Sequence, residues 1–260
     1  MENSGNQKLF QLKAYARYRR NAKRWTQLQS PFLFSFARAV CQDRAAKIPE
    51  VKRLRKYLSS DTSSIEKTDF GTGKSKTIAT KSLAASSSIR PKYGRLLAKI
   101  AAVRQPAQVL EFGTCLGVSS LYASLANPAL DQLVSVEGCP ATFEKRSQAF
   151  EKTGISTQKT TFICQSFDDF LRKDNATYDM IFIDGNHSYE ATLNYYQKLW
   201  PKLSEDGLLI FDDIHWSLGM EKAWNEISLP KMGQVNLDFF QFGLSFKRSH
   251  QASQRIQIHY

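Results

Sequence analysis

Four apolar stretches of this 260-residue chain end in acidic side chains, and the residue types around them could bind a cationic ligand and move a proton. Glu111 lies at the end of Gln108–Phe112, Glu137 closes Gln132–Glu137, Asp184 closes Tyr178–Asp184, and Asp212 with Asp213 closes Gly207–Asp213. An acid at the end of a buried strand is costly unless something occupies it. The first acid leads into Glu111-Phe112-Gly113-Thr114-Cys115-Leu116-Gly117-Val118-Ser119-Ser120. Gly113 lets the backbone turn sharply and approach a ligand, and Gly117 lets the following helix sit against it. A dinucleotide fingerprint would need a third-position glycine where Cys115 stands. Glu111 would repel a diphosphate, but not a ligand bearing a cationic amine and a sulfonium. Glu137 follows Gly117 by 20 residues, at the end of the next strand, where an acid accepts both hydroxyls of a ribose.

The second group of acids suggests different chemistry. Asp184, Asp212 and Asp213 at neighbouring strand ends would repel one another unless neutralised, and hard oxygen donors suit Mg²⁺ or Mn²⁺. A metal holding two substrate oxygens would lower the pKa of a hydroxyl and aim it for reaction. The alternative is that Asp212 or Asp213 caps a loop or helix. His187 follows Asp184 by three residues and His215 follows Asp213 by two. Histidine accepts a proton near neutral pH, so His187 is the first candidate base and His215 the second. His250 and His259 sit in a polar tail. Trp216, Trp224, Tyr189 and Phe240 could line an acceptor pocket, although aromatic residues at such spacings more often form core.

The elements that must position these residues follow from patterning. Residues 91–250 alternate helix and strand: helices at Lys92–Arg104, Val118–Ala126, Ala141–Thr153, Ala191–Leu203 and Leu218–Ile227 separate strands at Gln108–Phe112, Gln132–Glu137, Thr160–Cys164, Tyr178–Asp184 and Gly207–Asp213. Two more strands, Gln234–Phe240 and Leu244–Arg248, finish as a hairpin. The expected fold is α/β, a Rossmann-like, doubly wound, mostly parallel sheet of seven strands with an antiparallel edge hairpin and an N-terminal helical extension. In such sheets ligands bind beyond the carboxyl ends of the strands. Residues 1–60 read as a basic helical extension, with Ser30-Pro31 opening a helix over Phe32–Asp43 and Pro49 opening another over Glu50–Leu58. Residues 61–90 contain 12 Ser or Thr and read as a connector or lid, and 251–260 as a polar tail. Gly71-Thr72-Gly73-Lys74-Ser75 looks like part of a phosphate-binding P-loop, but Thr68 stands where that motif needs its first glycine, and no strand precedes it.

With these residues in place, the chain resembles the class I S-adenosylmethionine-dependent methyltransferases over about residues 86–250. It looks closest to O-methyltransferases of the catechol, caffeoyl-CoA and macrocin types. The resemblance implies S-adenosyl-L-methionine as cofactor. Glu111, Gly113, Thr114 and Gly117 would form its loop, Ser119 would hold the methionine carboxylate, Glu137 would bind ribose, and Gln165 and Ser166 would contact adenine. The string Asp184-Gly185-Asn186-His187-Ser188-Tyr189 is similar to that of the metal-dependent O-methyltransferases, which implies Asp184, Asp212 and Asp213 as Mg²⁺ ligands, with Asp184 also near the cofactor. Catechol-type enzymes carry a lysine base where His187 stands. Base-modifying amino-methyltransferases carry (Asp/Asn)-Pro-Pro-(Tyr/Phe) at this place, and no proline follows Asp184. The implied acceptor is a hydroxyl on a small molecule or on a glycan- or lipid-linked polymer.

Charge separates the two ends of the chain. Residues 1–60 carry 14 Lys or Arg against 3 Asp or Glu, while the remaining 200 residues are nearly balanced at 22 against 21. A basic arm of this kind can grip RNA, a membrane surface or an acidic partner. Two rivals to a small-molecule enzyme follow: an RNA methyltransferase using the arm on phosphates, and a non-catalytic cofactor-binding module. Four cysteines without metal-ligand spacing suggest reduced thiols. The polar N-terminus and the lack of an apolar run near 20 residues suggest a cytoplasmic protein, with the arm able to make it peripheral to a membrane.

Overall fold

The computed structural model describes residues 4–42, 47–69 and 74–260. In chain order these form α1 (Ser4–Asn21), α2 (Pro31–Gln42), α3 (Pro49–Ser60), β1 (Ser64–Asp69), β2 (Lys74–Ala79), α4 (Thr80–Ser87), α5 (Pro91–Arg104), β3 (Gln108–Phe112), α6 (Val118–Leu125), β4 (Gln132–Glu137) and α7 (Pro140–Thr153). There follow β5 (Thr160–Cys164), α8 (Phe167–Lys173), β6 (Tyr178–Ile183), α9 (Tyr189–Leu199), β7 (Leu203–Phe211), α10 (Leu218–Ile227), β8 (Gln234–Asp238), β9 (Gly243–Lys247) and β10 (Gln254–Gln257). The chain divides into a central unit, residues 44–175, and a terminal unit, residues 1–43 with 176–260. This division differs from the stretches 1–60, 61–90, 91–250 and 251–260 expected from composition.

In the central unit β3, β4 and β5 run parallel, with Leu110 opposite Val134 and Val136 opposite Ile163. Their apolar side chains meet helices whose apolar faces recur at helical spacing. Leu96, Leu97 and Ile100 of α5 and Leu121 of α6 are fully buried, as are Leu110, Phe112, Leu133 and Val136 of the strands. Proline opens α3, α5 and α7, where a missing N–H costs nothing, and Gly154 ends α7 in the left-handed conformation. The Ser/Thr-rich stretch expected as a connector forms the antiparallel hairpin β1–β2, with Ile65 opposite Ile78, and then α4. Residues 71–73 of the P-loop-like string lie outside the described residues, and β1 corrects the expectation that no strand precedes that string.

In the terminal unit β6 and β7 are parallel, β9 lies antiparallel to both β7 and β8, and β10 runs parallel to β8. The expected edge hairpin is therefore present as β8–β9. The strand count is corrected from seven to eight in the mostly parallel sheet, because β10 arises inside the expected polar tail. Arg255-Ile256-Gln257-Ile258 alternates polar and apolar residues, and Ile258 is fully buried. Helix α2 packs Phe32 and Phe36 edge-on against Phe246 of β9, at ring distances of 5.2 and 5.0 Å. Among the described residues no helix is long and apolar enough to cross a membrane.

Candidate active site

The loop after β3 is built around a buried acid. Glu111 is 1% exposed, and its Oε2 accepts hydrogen bonds from the hydroxyls of Ser120 and, at 2.5 Å, Ser135. Burial pushes its pKa up, the Ser119, Ser120 and Ser135 hydroxyls oppose that shift, and the Glu137 charge adds to it. Oε1 of the same carboxylate is buried with no hydrogen-bond partner. A buried acceptor left unmade is expensive, and an N–H of a cationic amine would satisfy it.

The glycines act as their spacing required. Gly113 has φ 98° and Gly117 φ 79°, and Gly117 stands immediately before the first residue of α6. The Gly113 and Thr114 N–H groups both donate to Val136 O, at 2.9 and 3.3 Å, which folds the loop back over β4. Thr114 and Ser135 share a hydroxyl–hydroxyl bond of 2.5 Å. Glu137 is held from two sides: the Cys115 N–H donates to Oε2 and the Cys139 N–H to Oε1, each at 2.8 Å. The carboxylate is thus fixed in place while each oxygen keeps a further lone pair for a ribose hydroxyl. Cys115 and Cys139 escaped the sequence reasoning because they contribute backbone N–H groups, which no side-chain type announces. Ser120 escaped it too, although it lies one residue beyond the expected Ser119.

Among the expected cofactor contacts, Ser166 has a partner within its own helix. The Ser119 hydroxyl is one of the groups opposing the rise in the Glu111 pKa. Ser166 caps α8, accepting the Asp169 N–H at 3.1 Å and donating to the Asp169 carboxylate at 2.6 Å. Gln165 remains half-buried beside it, its N–H bonded to Glu137 O at 3.0 Å.

The second acid cluster lies in the terminal unit, where the loops after β6 and β7 meet. Asp212 N–H donates to Ile183 O at 2.9 Å, joining the ends of the two strands. Asp212 is 3% exposed, and its Oδ1 accepts the Asp213 N–H at 2.7 Å. Burial raises its pKa well above the usual carboxylate range, and the Asp184 and Asp213 charges raise it further. Asp184 and Asp213 are thus close enough for their charges to act on Asp212. His187 Nε2 stands 3.6 Å from Asp184 Oδ1 and 4.0 Å from Asp213 Oδ2. Three hard carboxylates, one of them pushed toward its protonated form by burial and then by the other two charges, have the donor chemistry of a divalent-cation site. As they stand, no group of three His, Cys, Asp or Glu among the described residues is arranged to hold a metal ion.

His215, the second candidate base, has another occupation. Its Nδ1 lies 3.0 Å from Glu221 and its Nε2 3.0 Å from Asp238, and its ring stacks on Phe240. Burial alone would lower its pKa, but the hydrogen bonds and charges of Asp238 and Glu221 prevail and raise it to about 9. Both ring nitrogens are engaged by carboxylates, an arrangement that favours the imidazolium form. Glu221 continues the chain to Arg17 of α1 at 2.5 Å. Of the aromatic set, Trp224 is fully buried, Phe240 packs on Tyr15 and Tyr18, the Tyr189 hydroxyl donates to Glu226 at 2.7 Å, and Trp216 is 44% exposed.

The comparisons agree with this geometry. An α/β fold with an acid–GxxxG loop and a ribose-type acid defines a cofactor-binding Rossmann-like class, and residues 110–214 match the family described as a methyltransferase domain. A catechol O-methyltransferase from Niastella koreensis is 28% identical over 130 residues, covering 48% of this chain and 57% of the relative. The chain spans about half the length of the curated relatives it matches, 57% and 45% for two of them. Among solved structures, the SAH-bound methyltransferase of Podospora anserina superposes with a TM-score of 0.58 at 16% identity, over 82% of this chain and 92% of that one. The tomaymycin-synthesis O-methyltransferase of Streptomyces achromogenes, in complex with SAM, gives 0.57 at 14% identity, over 78% and 92%. Identities this low establish the shared fold. Residues 110–214 are similar to the methyltransferase-domain family, and the curated relatives that match are O-methyltransferases over about half their own length.

Proposed function

We propose that the protein transfers the methyl group of S-adenosylmethionine to a hydroxyl of a small-molecule or glycan- or lipid-linked acceptor. The observation that carries this reading is the buried Glu111 carboxylate with an unmade Oε1, set beside a Glu137 already fixed by two backbone N–H groups. Such a pair is organised for a cation and a ribose before either arrives. Glu111 would receive the methionine ammonium, Glu137 the ribose hydroxyls, and Gln165 would lie toward the adenine.

In the reaction an acceptor oxygen forms a bond to the methyl carbon as the carbon–sulfur bond breaks, its electrons passing to sulfur to leave S-adenosylhomocysteine. The hydroxyl proton passes to His187, whose imidazole the Asp184 and Asp213 carboxylates would steady as it becomes positive. Asp184, Asp212 and Asp213 would hold Mg²⁺ or Mn²⁺, which when bound supplies a Lewis acid that lowers the hydroxyl pKa. The neighbouring carboxylates that raise the Asp212 pKa support this assignment, since a cation would relieve that repulsion.

The test uses the full chain with S-adenosylmethionine against a panel of hydroxyl-bearing acceptors, reading S-adenosylhomocysteine release. Turnover that disappears after EDTA and gel filtration, and returns with Mg²⁺ or Mn²⁺, supports the whole proposal. Undiminished turnover after that treatment overturns the cation assignment alone. No calorimetric binding of S-adenosylhomocysteine overturns the reading altogether.

A further inference from the structure

We propose that α1 docks the protein onto the surface of an anionic lipid bilayer. The inference rests on how α1 divides its faces, independently of the methyl-transfer site. One side is committed to the terminal unit. Ala14 and Tyr18 are buried there, the Tyr18 hydroxyl donates to Ile258 O, the Gln11 amide donates to Trp216 O at 3.0 Å, and Arg17 pairs with Glu221.

The other side carries two leucines one turn apart, Leu9 at 51% and Leu12 at 67% exposure. Around them stand exposed Lys8, Lys13, Arg19 and Arg20, and α1 contains no acidic residue. Trp216 and Leu218, 44% and 63% exposed, lie in the same unit next to the segment that the Gln11 amide grips. Charge complementarity carries the proposal: the exposed Lys and Arg would meet anionic lipid, and the two leucines among them would enter the headgroup boundary.

The positive surface continues past the helix. An open cleft lined by Asn21, Lys23, Arg255, Ile256 and Gln257 adjoins the end of α1. Burial and the nearby Arg19 and Arg24 charges both lower the pKa of His259, an effect that local positive potential produces. A lipid phosphate matches that charge. RNA matches the charge but gives the exposed leucines no role.

Sedimentation with sucrose-loaded vesicles tests the proposal, comparing phosphatidylcholine alone with vesicles containing about a third phosphatidylglycerol. The full chain should pellet with the anionic vesicles only, and release as salt rises from about 0.1 M to about 0.5 M. L9S/L12S should weaken binding at least about tenfold. K13Q/R20Q should weaken it roughly fivefold per residue. Leu229→Ser, at an exposed position (53%) outside α1, should leave it unchanged. Circular dichroism confirms that each variant is folded. Failure to pellet with anionic vesicles overturns the proposal. So does wild-type affinity in L9S/L12S, or binding to single-stranded RNA that displaces the vesicles and ignores the leucines.

Discussion

Replacing Gly117 by alanine should damage the protein by two separable amounts, and the fold supplies its own control. Gly117 has φ 79° and Gly154 has φ 61°, so an alanine at either position is forced into the left-handed region at a cost of about 1–2 kcal/mol. They differ in what a methyl group would meet. At Gly154 nothing lies within 4 Å. At Gly117 the new Cβ would sit 2.6 Å from Phe150 Cζ, 2.8 Å from its Cε1 and 3.1 Å from Arg146 Cγ. Phe150 has little room to retreat: it is 5% exposed, its ring meets Phe162 edge-on at 5.7 Å, and the Arg146 guanidinium lies 3.8 Å over that same Phe162. Overpacking of this kind costs about 1–3 kcal/mol. Gly117→Ala should therefore lose about 2–5 kcal/mol and Gly154→Ala about 1–2 kcal/mol, a difference of about 1–3 kcal/mol that isolates the clash. Urea unfolding followed by far-ultraviolet circular dichroism measures both. S-adenosylhomocysteine titration calorimetry should show a weakened Gly117→Ala and an unimpaired Gly154→Ala. If the two variants agree within about 0.5 kcal/mol, the close packing of Phe150 beneath the loop is wrong.

Glu137→Ala should weaken S-adenosylhomocysteine binding by about tenfold or more, read by calorimetry, because two backbone N–H groups and the ribose lose a charged acceptor together. Asp184→Ala should abolish methyl transfer while reducing cofactor affinity only modestly; full turnover in that variant would sink the role given to Asp184. His215 gives a pH signature. Its folded pKa, about 9, lies above the ordinary 6.5, so its contribution to stability is complete below pH 6.5 and disappears as pH rises through 9. The shift corresponds to about 3 kcal/mol, so the stability gap between the parent and His215→Gln should narrow by about that much across this range, measured by urea unfolding at each pH. A gap that stays constant with pH would show that His215 is not charged between Glu221 and Asp238.

Legibility in the sequence followed the range of the forces involved. The helices over Lys92–Arg104 and Leu218–Ile227 and the five parallel strands were readable because burial imposes a period on local sequence. The loop at Glu111–Ser120 was readable because glycine has few substitutes where φ is positive. The strand β10 was not, since its four residues are mostly polar and its pairing partner, β8, lies about twenty residues away. The hairpin β1–β2 was hidden for a similar reason, its Ser, Thr and Lys residues looking like a linker until Ile65 and Ile78 meet across it.

The site shows the same division. By itself the sequence determined the positions of the acids, the two loop glycines and the basic charge of the first 60 residues, because residue type and spacing carry those facts. Tertiary structure decided what each side chain is bonded to. It spent the Ser120 and Ser135 hydroxyls on Glu111, tied Glu137 to the Cys115 and Cys139 backbones, and drew Asp184, Asp212, Asp213 and His187 into one cluster. It also set both ring nitrogens of His215 against carboxylates. Asp238, 23 residues along the chain, meets its second nitrogen. Protonation depends on neighbours brought together by folding, and a list of residue types does not contain them.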